Sequence, residues 1–61
     1  MTKTSARYYA KACYRLAMTH GRFTLDTAKA SAQYFPEAHV VQVTPKDGSP
    51  MHSLAPRYSW L

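Results

Sequence analysis

The chain has 61 residues, eight of them Lys or Arg against three Asp or Glu, for a formal net charge of +5. That length forms one small domain, residues 1–61, and excludes a cofactor-binding domain beside a substrate domain. A chain of about 60 residues buries only about 60% of its unfolded surface, so the core must be thin. The lone Cys13 excludes an internal disulfide to staple it.

Met1 to Ser5 carry no apolar stretch of the secretory kind, and no apolar run nears the roughly 18 residues of a membrane span. A cytoplasmic protein making no membrane contact is expected. Lys3, Arg7, Lys11, Arg15 and Arg22 all precede the first acid, Asp26, which is also the composition of a mitochondrial transit peptide. A chain running from Met1 to an untagged Leu61 is instead expected to be a complete small gene product.

Residues 6–18 fit two conformations. As a strand they put Tyr8, Ala10, Ala12, Tyr14, Leu16 and Met18 on one apolar face, with Arg7, Tyr9, Lys11, Cys13 and Arg15 opposite. As a helix they gather Ala6, Tyr9, Ala10, Cys13, Leu16 and Ala17 instead, and Gly21 offers a stop. Propensity favours the helix, with four Ala beside Leu, Met, Lys and Arg. The strand is preferred because a downstream hairpin needs a partner to be stable in water.

From Thr24 to Phe35 the residues predict a helix over 25–35. Thr24 suits an N-cap and Asp26 the first turn. Leu25, Ala28, Ala32 and Phe35 fall on one stripe, and Pro36 forbids continuation. Next, the Val-rich run 39–45 and the segment 50–54 flank Lys46-Asp47-Gly48, which predicts a hairpin. The expected fold is α+β: a small antiparallel or mixed sheet, strands near 7–17, 39–45 and 50–54, and one helix on one face. A helix over 6–19 is the alternative. Pairing of strand 39–44 across a dimer axis would thicken so thin a core, which makes a homodimer a further expectation.

Arg7, Lys11 and Arg15 are spaced by four, so they share a face in either conformation, and Lys3 extends the row. With Tyr9 interleaved, a strand here would offer cations beside an aromatic ring, the combination that binds phosphates and stacks bases. Charge attraction serves an acidic protein surface equally well. The C-terminal Arg57, Tyr58 and Trp60 are residue types enriched in binding hot spots, although Trp60 could instead plug the core.

Chemistry has little to stand on. Cys13, His20, His39 and His52 lack the paired spacing of a structural zinc site, so no metal is expected. Asp26, Glu37 and Asp47 lie apart, Gly21 and Gly48 build no phosphate loop, and a Cys–His pair would still need a pocket and an oxyanion hole. No catalytic residue and no cofactor is expected.

The run Thr24-Leu25-Asp26-Thr27-Ala28, then Ala32-Gln33-Tyr34-Phe35-Pro36, then Val40-Val41-Gln42-Val43-Thr44-Pro45 resembles the helix–Pro–strand unit of small phage-encoded inhibitors. These include a podovirus inhibitor of bacterial RNA polymerase, and the order of elements is similar to some anti-CRISPR proteins. The shared pattern covers about a third of the chain and brings no binding residue with it. This chain departs from several such inhibitors in being basic. The resemblance implies a non-enzymatic protein that acts by occupying a surface. The expected partner is a host protein or protein–nucleic-acid complex with an acidic surface, contacted by Arg7, Tyr9, Lys11, Arg15, Arg57, Tyr58 and Trp60. The alternatives are direct binding of DNA or RNA, as in a transcriptional regulator, and a structural subunit of a larger assembly.

Overall fold

A computed structural model describes all of residues 1–61. In chain order the elements are α1 (Lys3–His20), β1 (Thr24–Asp26), β2 (Ala30–Phe35), β3 (Val40–Pro45), β4 (His52–Leu54) and a closing 3-10 turn (Tyr58–Trp60). The strands form one antiparallel sheet in the order β1-β2-β3-β4, and α1 packs across one of its faces. The class is α+β, as expected. Two of its elements have changed places.

Residues 7–17 are helical rather than a strand. The Thr2 hydroxyl caps the N-terminus by accepting from the Ser5 amide at 3.2 Å. Ala6, Ala10, Cys13, Tyr14 and Ala17 then bury one stripe. Gly21, at φ 66°, ends the helix in the left-handed region, its N–H bonding to the Ala17 carbonyl at 3.1 Å. Here intrinsic propensity and tertiary packing agree, because the hairpin finds its partner elsewhere.

That partner is residues 24–35, which form β1 and β2 instead of a helix. Ala30, Ala32 and Tyr34 are buried while Gln33 between them is exposed and Ser31 only half-buried, a period of two. Thr27 holds the connection: its hydroxyl donates to the Ala30 carbonyl at 2.8 Å and accepts from the Ala30 amide at 3.1 Å. Ala28, expected on the apolar stripe, is exposed in that turn. Pro36 opens the β2–β3 turn rather than ending a helix.

The hairpin over β3 and β4 matches expectation. Val41 pairs with Leu54 and Val43 with His52, and Asp47 shapes the connection by accepting from the Ser49 amide at 2.9 Å. Its register places Val41 and Val43 under the helix, both fully buried. Burial of each contributes about 1.5–3 kcal/mol.

The core is built of small residues on both layers, Ala6, Ala10 and Ala17 against Ala30 and Ala32. Aromatics fill what remains. Tyr14 meets Tyr34 edge to face at 5.2 Å and Trp60 at 6.1 Å. The sheet's other face is uncovered, and Thr24, Gln33, Gln42 and Ser53 cross it in one register row.

Candidate functional site

Over its 18 residues α1 carries Lys3, Arg7, Lys11 and Arg15 and no acid. A step of four residues advances about 40° around a helix, so the row drifts by about 120° from end to end. Lys3 and Arg7 flank the buried stripe on the side of β4, where both line a groove with residues 53–57. Lys11 and Arg15 lie farther round, in a shallow depression with Tyr8 and Leu16.

None of these cations meets a carboxylate. Asp26 pairs with Lys46 at 2.7 Å, and Asp47 lies 3.8 Å from the Met1 amino group. Glu37 sits exposed in the β2–β3 turn. Asp47 also accepts from the Ser49 hydroxyl, the chief cause of a pKa held below the ordinary 3.8, with the Ser49 amide second. Asp26 and Asp47 are therefore engaged away from α1, Glu37 lies apart in a turn, and the helix keeps its charge.

The expected contact residues divide. Arg7 and Arg15 are exposed and Lys11 half-buried on the one cationic face, and Lys3 joins them because the helix begins there. Tyr9 does not. In a strand it alternates with the cations, but in a helix it lies about 160° from both Arg7 and Lys11, half-buried against the core. The aromatic ring on the cationic face is Tyr8, 70% exposed, which the strand pattern had assigned to the interior. Helical spacing from Lys11 and Arg15 is the signal that identifies it.

At the other end, Arg57 is exposed and Tyr58 is 92% exposed. Trp60 is a correction. Only 5% exposed, its indole belongs to the core against Tyr14 and is no surface anchor. A core whose largest fully buried side chains are Val41, Val43 and Cys13 has room for a large ring at its edge. Arg15 secures that ring's backbone by donating from Nε to the Trp60 carbonyl.

Cys13 is fully buried and its thiol donates to the Phe23 carbonyl at 3.6 Å. Burial pushes its pKa up from 9.0, against a smaller opposing effect of the Tyr34 backbone. No three His, Cys, Asp or Glu side chains gather closely enough to hold a metal ion. No helix is long and apolar enough to cross a membrane. An open cleft of about 550 Å³ lies on the opposite flank, where Lys29 and Lys46 face Asp47 and the charge is mixed.

Compared with protein-family models, curated proteins and solved structures, the chain matches none.

Proposed function

We propose that this is a small, non-enzymatic, cytoplasmic protein that binds an acidic surface on a macromolecular partner and acts by occupying it. One observation carries the reading: Lys3, Arg7, Lys11 and Arg15 lie along α1 with no carboxylate within ion-pair distance of any of them. Of the four only Arg15 bonds within the fold, and like charges in a row cost about 0.2–0.5 kcal/mol for each i, i+4 pair. Such a row is compensated when a complementary surface arrives. Tyr8, exposed beside Lys11 and Arg15, supplies the rigid aromatic contact that interfaces favour. The scattered acids and buried Cys13 support a role without chemistry. Small phage and mobile-element proteins that sterically block or redirect host machinery are the class this suits.

A second reading, direct binding of DNA or RNA, is favoured by the regularity of the row, one cation per about 6 Å of helix. Its sheet-based form loses support, because no strand contains Lys or Arg.

The test is capture of a partner from host cells by the unaltered protein and by a Tyr8→Ala/Lys11→Glu variant, beside titrations with DNA and RNA at low and physiological salt. The expected result is a partner lost in the variant and weak polymer binding. Tight polymer binding, with a log–log salt slope of about −0.9 per phosphate contact that falls in Lys11→Ala, would move the assignment to nucleic acid. Retention of the partner by the variant would sink both readings.

A further inference from the structure

We propose that the edge strand β4 and the groove beside it form a docking site for an extended acidic segment of the partner, which adds to the sheet as a fifth strand. The inference rests on the acidic-partner reading above and specifies how that partner is held.

The strand order leaves β4 at an edge, so alternate N–H and C=O groups along His52–Leu54 point away from β3 with no strand beside them. Next to this edge lies a groove of about 280 Å³. Lys3 and Arg7 reach it from the helix and Arg57 from the C-terminal segment, while Leu54, Pro56 and Trp60 give it apolar walls. No carboxylate lines it. Three cations contributed by two distant parts of the chain thus converge on one strip of unpaired backbone.

The chemistry of that strip selects the occupant. An open strand edge presents both donors and acceptors. A phosphate diester brings acceptors only and leaves the β4 carbonyls unanswered. A polypeptide in extended conformation brings both, and its alternate side chains reach the groove. Acidic side chains there meet Lys3, Arg7 and Arg57 in charge-assisted hydrogen bonds. Three residues of edge give few backbone bonds, so affinity depends on those cations. The opposite edge differs: β1 carries no cation of its own, and its one acid, Asp26, is already paired with Lys46.

The experiment uses a short fluorescent peptide of alternating threonine and glutamate. Its comparators are an analogue N-methylated at alternate amides, a threonine–lysine peptide and a single-stranded oligonucleotide of similar charge. The proposal expects binding of the acidic peptide alone, and slower hydrogen exchange at residues 52–55 in the complex. Arg57→Ala and Lys3→Ala should each weaken it about tenfold, as loss of one hydrogen bond to a charged group would. Equal binding of the N-methylated analogue, tighter binding of the oligonucleotide, or indifference to Arg57→Ala would each overturn it. If the peptide fails while partner capture still depends on Tyr8 and Lys11, strand addition is wrong and the broader reading stands. If capture survives Tyr8→Ala/Lys11→Glu, the broader reading falls whatever the peptide does.

Discussion

Arg15 donates from Nε to the backbone carbonyl of Trp60, so the one cation of the helical row with a protein partner fastens the closing turn. This relationship separates two roles within a single row of like charges. Arg7 and Lys11 hold nothing in the fold, whereas Arg15 holds Trp60 in place against Tyr14.

Trp60→Ala is accordingly expected to cost about 3–5 kcal/mol, much of what a domain of this size has. Trp60→Phe should keep most of it. Arg15→Ala should cost only about 1 kcal/mol and loosen the turn before the sheet. Urea unfolding followed by far-ultraviolet circular dichroism measures all three. Equal costs for Arg15→Ala and Trp60→Ala would mean that the hydrogen bond, not the indole, holds the segment.

Lys11 has a like charge four residues away on either side, so Lys11→Ala should leave stability unchanged or raise it by up to about 0.5 kcal/mol. Raising ionic strength from about 0.01 to 0.1 M, which shortens the Debye length from about 30 to 10 Å, should likewise raise Tm. A Tm that falls with salt would show attraction rather than repulsion governing the charges of the fold.

Two groups set expectations for pH. The Asp47 pKa is depressed, chiefly by the Ser49 hydroxyl and then by the Ser49 amide, so the folded state binds that proton less readily than the unfolded chain. Its stabilisation is present above the ordinary value of 3.8 and is lost as pH falls through the depressed one. The Tm advantage over Asp47→Asn should vanish in strong acid. Cys13 has the opposite sign. Burial raises its pKa, so stability is held up to the ordinary 9.0 and declines as pH rises beyond it. A thiol reagent should modify Cys13 only on unfolding, and Cys13→Ala should flatten the alkaline decline.

His39 sits at φ 51°, the one residue other than glycine in the left-handed region. His39→Gly should be tolerated within about 0.5 kcal/mol, while His39→Val should cost about 1–2 kcal/mol by forcing a β-branched residue there. Urea midpoints with an unchanged m-value check this. A harmless valine would mean the turn can rearrange.

The second half of the chain was legible because its signals agree: β-branched Val40, Val41 and Val43 alternate with the hairpin's needs, and Asp47-Gly48 marks the turn. The first half was misassigned where two signals conflict. Ala28, Ala30 and Ala32 favour a helix locally, yet the sheet requires the small side chains of Ala30 and Ala32 beneath α1, and tertiary packing prevailed. Once 24–35 supplies the missing strands, residues 6–18 are free to follow their own helical propensity. The candidate site survived this exchange in part. A spacing of four keeps Arg7, Lys11 and Arg15 together in either conformation, whereas neighbours at a spacing of two, such as Tyr9, change sides. Residue type alone lets Trp60 serve as a surface anchor or a core ring, and the thin core buries it.

The uncovered face crossed by Thr24, Gln33, Gln42 and Ser53 has a consequence of its own. Its only charged strand residue is Asp26, already neutralised by Lys46. The molecule is thus electrically lopsided, with a cationic helix in front and a neutral, hydrogen-bonding back. In the field of an anionic surface such a body turns as it approaches, helix foremost. Once seated, it shows solvent only the neutral side, so that a patch which attracted basic proteins no longer does. Masking of this kind would need no catalysis and no large interface.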